Sequence, residues 1–365
     1  MKLRASPLLI ALVVAVAGPA RAQDAPTPRW RHQAADVPAS PRIHFSTLPN
    51  GLRVAWVHNG EPKKRSYLRL HVDVGSLAEE DDERGLAHFL EHMAFNGTKN
   101  HPADSLVEWF QRHGMSFGAD TNASTGFSQT VYQIDLPESD RKSLAEGLAV
   151  LRDFADGMLL EQKEIDKEKG VIDAEERERD SPQYRTLEKT LRVQFSGTRV
   201  PERLPIGRKE VRDAFTSESV RRFYSKWYRP ENMTLVLAGD LADEDPDALV
   251  ATAFGDMARP ATPSAGEPAA GTPDMAHRFY TVAEKEIPYV QIGVQLARPW
   301  AERPDSRAQW RADLPVAFAR SMLNLRFAEL SKRKDAPFLG AGSGDVHDSM
   351  SGLGVRPRTA QRREK

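Results

Sequence analysis

The sequence predicts an α+β fold, because strand-like and helix-like segments follow one another along residues 42–243. Alternation of apolar and polar residues marks the strands, and apolar residues spaced three and four apart mark the helices. The 365 residues are 40% hydrophobic and 28% charged, which suffices for one large or two medium domains with buried cores.

The first predicted elements are a β-hairpin, a strand and a helix. Residues 44–59 alternate around Asn50-Gly51, and both of these residues tolerate the positive φ of a tight turn. Residues 66–76 form a further alternating strand, and an acidic loop over 77–85 then leads into the helix. The downstream segments predict helices over 102–114, 139–159, 161–180 and 216–228, two strands within 118–136 and a buried strand over 232–240.

Residues 1–22 have the three parts of a secretory signal peptide. A short basic start precedes the apolar run PLLIALVVAVAG, and Ala20-Arg21-Ala22 is a cleavage signal of the A-x-A type. The apolar run is too short for a transmembrane helix, so we expect export to the periplasm or beyond, with no membrane span after cleavage. An uncleaved N-terminal anchor is the alternative.

Charge and cysteine content narrow the possible partners. A formal net charge of −1 creates no overall field for nucleic acid, and no nucleic-acid partner is predicted. The chain has no cysteine, which excludes disulfides and thiolate metal ligands. Any bound metal must be held by nitrogen and oxygen atoms.

The remaining segments suggest an incomplete second domain. Strands are predicted over 277–284 and 289–298, and a helix over 307–333, after which the periodicity stops. The predicted organisation is a signal peptide (1–22), a flexible leader (23–41), a first domain (42–243), a helix with a Pro/Ala/Gly-rich linker (244–274), a partial second domain (275–340) and an irregular basic tail (341–365).

The motif GLAHFLEHMAF, residues 85–95, is a candidate metal site. On a helix, His88, Glu91 and His92 project together, and the apolar residues between them can bury the opposite side. Two imidazoles at this spacing can reach one Zn²⁺ ion, which needs at least one further protein ligand. Glu91 would then lie close enough to act as a general base. The alternative is an ordinary amphipathic helix that carries surface histidines.

The surrounding sequence resembles the pitrilysin (insulinase-type) family of zinc metallopeptidases, and within it the bacterial periplasmic zinc proteases. The resemblance covers roughly residues 43–340 and rests, in chain order, on LPNGLRV, ERGLAHFLEHMAFNGTKNHP, NASTGFSQTVY, EIDKEKGVIDAEERERD, RLPIGRKE and FYSKWYRPENMTLVLAGD. It implies a pitrilysin-like domain whose mixed, mainly antiparallel sheet packs against helices. It also implies a zinc endopeptidase that cuts peptides or unfolded polypeptides.

The resemblance assigns further residues to the site. It makes Glu175 the third zinc ligand. It also assigns Glu168, seven residues earlier on the same helical face, to the catalytic residues, as a carboxylate that would hydrogen-bond a ligand histidine and fix its tautomer. The alternative is that both glutamates face solvent, as most charges on such a helix do. It also places Asn122 and Ala123 on an edge strand that binds the substrate backbone by β-augmentation. Without the resemblance, the segment TNASTG could equally be a hairpin turn of polar residues.

Family members are built from two halves, and nothing here matches the distal half with its substrate-binding Arg and Tyr. We expect a truncated gene, a subunit completed by a partner chain that supplies the distal half, or a binding module. The leading interpretation is a zinc endopeptidase. The alternatives are a catalytically weak or inactive subunit that binds peptides, and a zinc hydrolase that acts on other substrates.

Overall fold

The computed structural model describes residues 30–363, apart from residues 104, 117, 242, 263, 265, 267, 277, 300–304, 345 and 349–352. The predicted signal peptide lies outside the described residues, as does the leader up to residue 29. Among the described residues, no helix combines the length and the apolar character that crossing a membrane requires.

The strands are β1 (Ile43–Thr47), β2 (Arg53–His58), β3 (Ser66–Val72), β4 (Thr121–Thr125), β5 (Thr130–Leu136), β6 (Met233–Gly239), β7 (Tyr289–Pro299), β8 (Gly340–Ser343), β9 (Val346–Asp348) and β10 (Leu353–Arg363). The helices are α1 (Leu86–Met93), α2 (Ser105–Arg112), α3 (Arg141–Asp156), α4 (Gln162–Arg179), α5 (Pro182–Gln194), α6 (Lys209–Arg212), α7 (Ser217–Trp227), α8 (Pro246–Phe254) and α9 (Arg307–Ser331).

A six-stranded sheet forms the centre of the first domain, with the strand order β1-β2-β6-β3-β5-β4. The pair β2–β6 is parallel, and every other neighbouring pair in this sheet is antiparallel. The predicted mixed, mainly antiparallel sheet is therefore confirmed. Strand β4 lies at one end of the order, so one of its edges has no strand beside it among the residues that the structure describes.

The sheet follows from the sequence pattern. In β3, β5 and β6 alternate residues are buried, which places one face of each strand against the helices. The predicted hairpin joins β1 and β2, where Gly51 adopts a φ of +99°. The Asn50 amide donates hydrogen bonds to the carbonyl oxygens of Phe254 and Met257, at 2.8 and 3.2 Å. This turn therefore also anchors the end of α8.

Strand β6 ties the end of the first domain to its beginning. It lies between β2 and β3, although nearly the whole chain of that domain separates it from them. The helix before it, α7, buries Val220, Phe223 and Trp227 in the core, and it starts at Thr216, whose hydroxyl accepts a hydrogen bond from the backbone N–H of Ser219. The aromatic side chains of Phe223 and Trp227 are thus part of the core.

The second domain differs from its prediction in two places. Residues 278–284 form no strand, and among the described residues the four-stranded sheet of this region contains β7, β8, β9 and β10. The predicted irregular tail is wrong, because β10 pairs with β7 along its whole length, from Leu353 opposite Pro299 to Arg363 opposite Tyr289. Strand pairing with a distant segment decides this region, and local periodicity does not reveal it.

Helix α9 has no buried residue among those described. Phe318, Met322 and Leu325 are 64%, 70% and 66% exposed, so the described residues of the second domain do not cover these large apolar side chains. Helix α5, which the sequence pattern did not predict, also has no buried residue.

Candidate metal centre and active site

Helix α1 carries the motif with one side in the core. Leu86, Phe89, Leu90 and Met93 are fully buried, which turns His88, Glu91 and His92 towards α4 and β4. His88 is 4% exposed and Glu91 8% exposed, so both polar side chains sit in a low-dielectric environment. The interpretation of this segment as a helix with surface histidines is therefore wrong for His88.

The start of α1 is held by the buried side chain of Glu79 and by a close backbone contact. Both side-chain oxygens of Glu79 accept hydrogen bonds of 2.9 Å, one from the backbone N–H of Gly85 and one from that of Ala87. A Cβ atom at Gly207 would lie 2.3 Å from Cα of Gly85, so only glycine fits there. Because these backbones touch, the loop around Gly207 fixes where α1 begins.

Helix α4 presents its carboxylates to α1. Ile165 and Ile172 are fully buried and fasten α4 to the core, and Glu168, between them, is 5% exposed. Glu175 lies two turns further along the same face, with its side chain 25% exposed. The prediction that Glu168 and Glu175 share one face is consistent with this placement.

Three side chains converge between the two helices. Oε2 of Glu175 lies 3.6 Å from Nε2 of His88 and 3.4 Å from Nε2 of His92. One potential ligand atom from each of these residues lies within 4.8 Å of the other two. The structure thus brings together the three residues that the sequence assigned to the metal.

The arrangement fits a zinc ion. Tetrahedral Zn²⁺ with bonds of about 2.0–2.1 Å separates neighbouring ligand atoms by about 3.3–3.4 Å, close to both measured distances. Oε2 of Glu175 is buried and has no hydrogen-bond partner among the described residues, which leaves an acceptor that a cation would satisfy. The donor set of two imidazole nitrogens and one carboxylate oxygen is consistent with zinc.

Glu168 orients His92. Its Oε1 lies 2.7 Å from Nδ1 of His92, and its Oε2 accepts a 2.6 Å hydrogen bond from the Asn96 amide. The proton on Nδ1 therefore points at Glu168 and leaves Nε2 free on the side of Glu175. Burial lowers the pKa of His92, but the carboxylates of Glu168 and Glu175 outweigh it and raise the pKa to about 9.

The other groups of the site are also perturbed. Burial, followed by the neighbouring His92, lowers the pKa of His88 to about 3, so this imidazole is neutral. Interaction with His92 lowers the pKa of Glu175 to about 2, which keeps it a carboxylate. Burial raises the pKa of Glu91, and the hydrogen bond from Thr125 opposes this shift. Groups with such shifts gathered in one place are typical of an active site.

Strand β4 runs beside Glu91. Asn122 is exposed and Ala123 is half-buried against the core, on the free edge of the sheet. The side-chain oxygen of Asn122 accepts a 2.9 Å hydrogen bond from the backbone N–H of Ala123. The structure therefore places both predicted substrate-binding residues on an edge strand next to the motif.

Sequence reasoning missed four residues that contact the site. Arg179 forms an ion pair with Oε1 of Glu175, Asn96 holds Glu168, Thr125 donates to Glu91, and Glu79 caps α1. Arg179 could have been found, since it lies four residues after Glu175 on α4, and Asn96 follows His92 by the same interval just beyond the end of α1. Thr125 and Glu79 contact α1 through the packing of separate segments, for which no local signal exists.

Both parts of the chain match known domains. Residues 53–202 match the insulinase domain of peptidase family M16, and residues 214–308 match the inactive domain of peptidase M16. The second match includes β6, which in the structure belongs to the central sheet of the first domain.

Similar proteins include the probable zinc protease PqqL of Escherichia coli (strain K12), 37% identical over 217 residues, and that of Haemophilus influenzae, 37% identical over 206 residues. These regions cover 60% and 56% of this chain but only 23% and 22% of the two relatives. The chain thus spans less than a quarter of the length of these relatives.

Solved structures show the same fold. The first half of the periplasmic protease PqqL from Escherichia coli is 29% identical, with a TM-score of 0.81, over 90% of this chain and 70% of that chain. Pitrilysin is 21% identical, with a TM-score of 0.62, over 87% of this chain and 34% of that chain, and it supports the fold alone.

Proposed function

Because the chain belongs to the M16 insulinase family through both matched domains, we propose that it is a zinc-dependent endopeptidase acting on peptides or unfolded polypeptides. The two PqqL relatives are named as probable zinc proteases, and the solved PqqL structure is named as a periplasmic protease, which supports a peptidase exported to the periplasm. The single observation that carries the proposal is the convergence of His88, His92 and Glu175 with one further carboxylate, Glu91, beside them.

His88, His92 and Glu175 would hold the metal. A Zn²⁺ ion bound there supplies Lewis acidity that polarises a peptide carbonyl and makes water a better nucleophile. Glu168 acts through His92, whose ring it orients by a hydrogen bond at Nδ1. Its role is therefore to position a ligand and not to take part in the reaction directly.

Glu91 is the proposed general base. It takes a proton from the attacking water and later passes it to the amine nitrogen of the leaving product. Burial raises its pKa above that of an exposed glutamate, which brings its basicity closer to neutral pH. The reaction needs no separate general acid, because the Glu91 carboxylate can accept the proton from water and return the same proton to the leaving amine.

Strand β4 is the proposed substrate-binding edge. A peptide that adds there would pair its backbone with β4 and lie alongside Glu91, since Thr125 of this strand contacts that side chain. Backbone pairing demands little of the side chains, which suits extended or unfolded substrates. Asn122 and Ala123 are the residues assigned to this contact; the backbone of Ala123 turns to the free edge, whereas that of Asn122 turns towards Gln133 of β5.

The test uses Glu91→Gln. Zinc content should persist, because the variant keeps the three ligands, while chelator-sensitive cleavage of a quenched-fluorescence peptide should fall by at least 100-fold, within the range for loss of a general base. Glu178→Gln, an exposed change on α4, is the matched control and should behave as the parent. Equal cleavage by Glu91→Gln and the parent would falsify the mechanism.

A second candidate function is a peptide-binding subunit that needs a partner half for turnover. The exposed apolar side chains of α9 favour it, because they would be covered in a larger assembly. This candidate predicts tight binding of a fluorescent peptide with negligible cleavage by the chain alone, and cleavage after addition of a distal-half polypeptide. Full activity of the isolated chain would exclude it.

A further inference from the structure

Thr125, the last residue of β4, contacts the proposed base directly. Its hydroxyl donates a hydrogen bond to Oε2 of Glu91. No other hydrogen bond to the Glu91 side chain occurs within the described part of the chain. The orientation of this carboxylate therefore depends on a residue of the sheet edge and not on its own helix.

The backbone of Thr125 faces the open edge of the sheet. Two hydrogen bonds to the β5 side, from Gly126 N–H to the Gln129 carbonyl (2.8 Å) and from Asp135 N–H to the Asp120 carbonyl (2.7 Å), flank β4. In an antiparallel pair, alternate residues turn their backbone groups to the partner, so the even-numbered residues of β4 face β5. The odd-numbered residues, Thr125 among them, turn theirs to the free edge.

A further contact agrees with this alternation. The carbonyl of Thr121 accepts a 2.7 Å hydrogen bond from Gly118, which lies outside the sheet. Thr125 thus joins two functions in one residue. Its backbone N–H and carbonyl lie where a peptide would pair, and its side chain holds Glu91.

We propose that Thr125 is a positioning residue that couples the pairing of a peptide on β4 to the orientation of the Glu91 carboxylate. This role rests on the proposed peptidase function and adds to it a link between the binding edge and the base. The backbone of Thr125 would fix the position of a bound peptide, and the hydroxyl of the same residue fixes the Glu91 carboxylate. The scissile bond and the base would then keep a constant separation.

Loss of the hydroxyl should affect turnover more than binding. In Thr125→Val the strand keeps a β-branched residue of the same shape and the same backbone pairing. The Glu91 carboxylate loses its hydrogen bond and can rotate away from the geometry of proton transfer. Because small displacements of reacting groups lower rates strongly, we expect kcat to fall about 10- to 100-fold.

The experiment compares Thr125→Val, Thr125→Ser and Ser124→Ala in the full chain loaded with zinc. The valine variant should lose kcat with a KM within about threefold of the parent, and the serine variant should recover most of the loss because it restores the hydroxyl. Ser124→Ala is the control, since this exposed side chain lies on the opposite face of β4. Zinc content, zinc affinity and melting temperature should match the parent in all three variants.

Several outcomes would overturn the role of Thr125 while leaving the peptidase proposal intact. These are a valine variant with the parent kcat, a loss confined to KM, a serine variant as impaired as the valine variant, or a valine variant that has lost zinc. A parent chain with no chelator-sensitive cleavage would instead overturn the proposed peptidase function, and the coupling role with it.

Discussion

Oε1 of Glu168 lies 2.7 Å from Nδ1 of His92, on the ring edge opposite to the one that faces Glu175. One helix, α4, thus supplies both the carboxylate that orients the imidazole and the carboxylate that completes the candidate metal site. The separation of seven positions between Glu168 and Glu175 places the two on one face, with His92 held between them.

Replacing Glu168 should weaken zinc binding without removing a ligand. In Glu168→Gln the Asn96 contact can persist, but the ionic partner of His92 is lost, and we expect zinc affinity to fall about 10- to 100-fold. Competition against a chromophoric chelator measures it. Glu161→Gln, on the exposed start of α4, serves as control. An unchanged zinc affinity in Glu168→Gln would contradict the positioning role.

Zinc affinity should increase by about tenfold for each pH unit between about pH 6 and pH 8. In the metal-free protein His92, with a pKa of about 9, holds a proton that zinc must displace, whereas His88 and Glu175, with pKa values of about 3 and 2, hold none. Calorimetry in buffers of different ionisation enthalpy should therefore detect release of about one proton at pH 7. Release of two protons, or none, would contradict this assignment.

Local patterns predicted part of this molecule well. The hairpin at Asn50-Gly51 and the helix carrying His88 and His92 depend on neighbouring residues, so the sequence contains their signals. Glu175 needed the family resemblance, since α4 carries many glutamates and only packing against α1 selects one. The missed β10 and the wrongly predicted strand at 277–284 depend on which distant segment offers a pairing edge.

Glu79 should make stability depend on pH. Burial raises its pKa from 4.5 to about 8, so the protonated form is favoured in the folded state. Its stabilising contribution is complete below pH 4.5 and is lost as pH rises through 8, at no more than about 1.4 kcal/mol per pH unit. Glu79→Gln removes this dependence and keeps an acceptor for the start of α1.

Urea denaturation of the zinc-free proteins at pH 5 and pH 8 tests this prediction. The parent should lose at least about 1 kcal/mol more unfolding free energy between these pH values than Glu79→Gln does. The difference between the two proteins isolates Glu79 from other titrating groups. If both proteins lose stability in parallel, Glu79 does not titrate as its burial predicts.

Arg212 should be required for stability because it connects the loop at Ile206 to α4, the helix that carries Glu175. Its fully buried side chain donates to the Ile206 carbonyl at 2.7 Å and contacts the carboxylates of Asp173 and Glu176, which flank Glu175 on α4. In Arg212→Met these carboxylates lose their buried cation. We expect the free energy of unfolding to fall by about 3 kcal/mol, the lower end for a broken buried ion pair, because the Glu176 side chain is 42% exposed and can regain water.

Arg177→Met is the matched control for this change. Arg177 is exposed on α4, so the same loss of charge and gain of apolar surface should alter the free energy of unfolding by no more than about 0.5 kcal/mol. Chemical denaturation of the zinc-free proteins measures both variants. Since Arg212 lies between the loop at Ile206 and α4, its loss should also weaken zinc binding by displacing Glu175. A stable Arg212→Met variant with the zinc affinity of the parent would show that α1 and α4 keep their spacing without this contact.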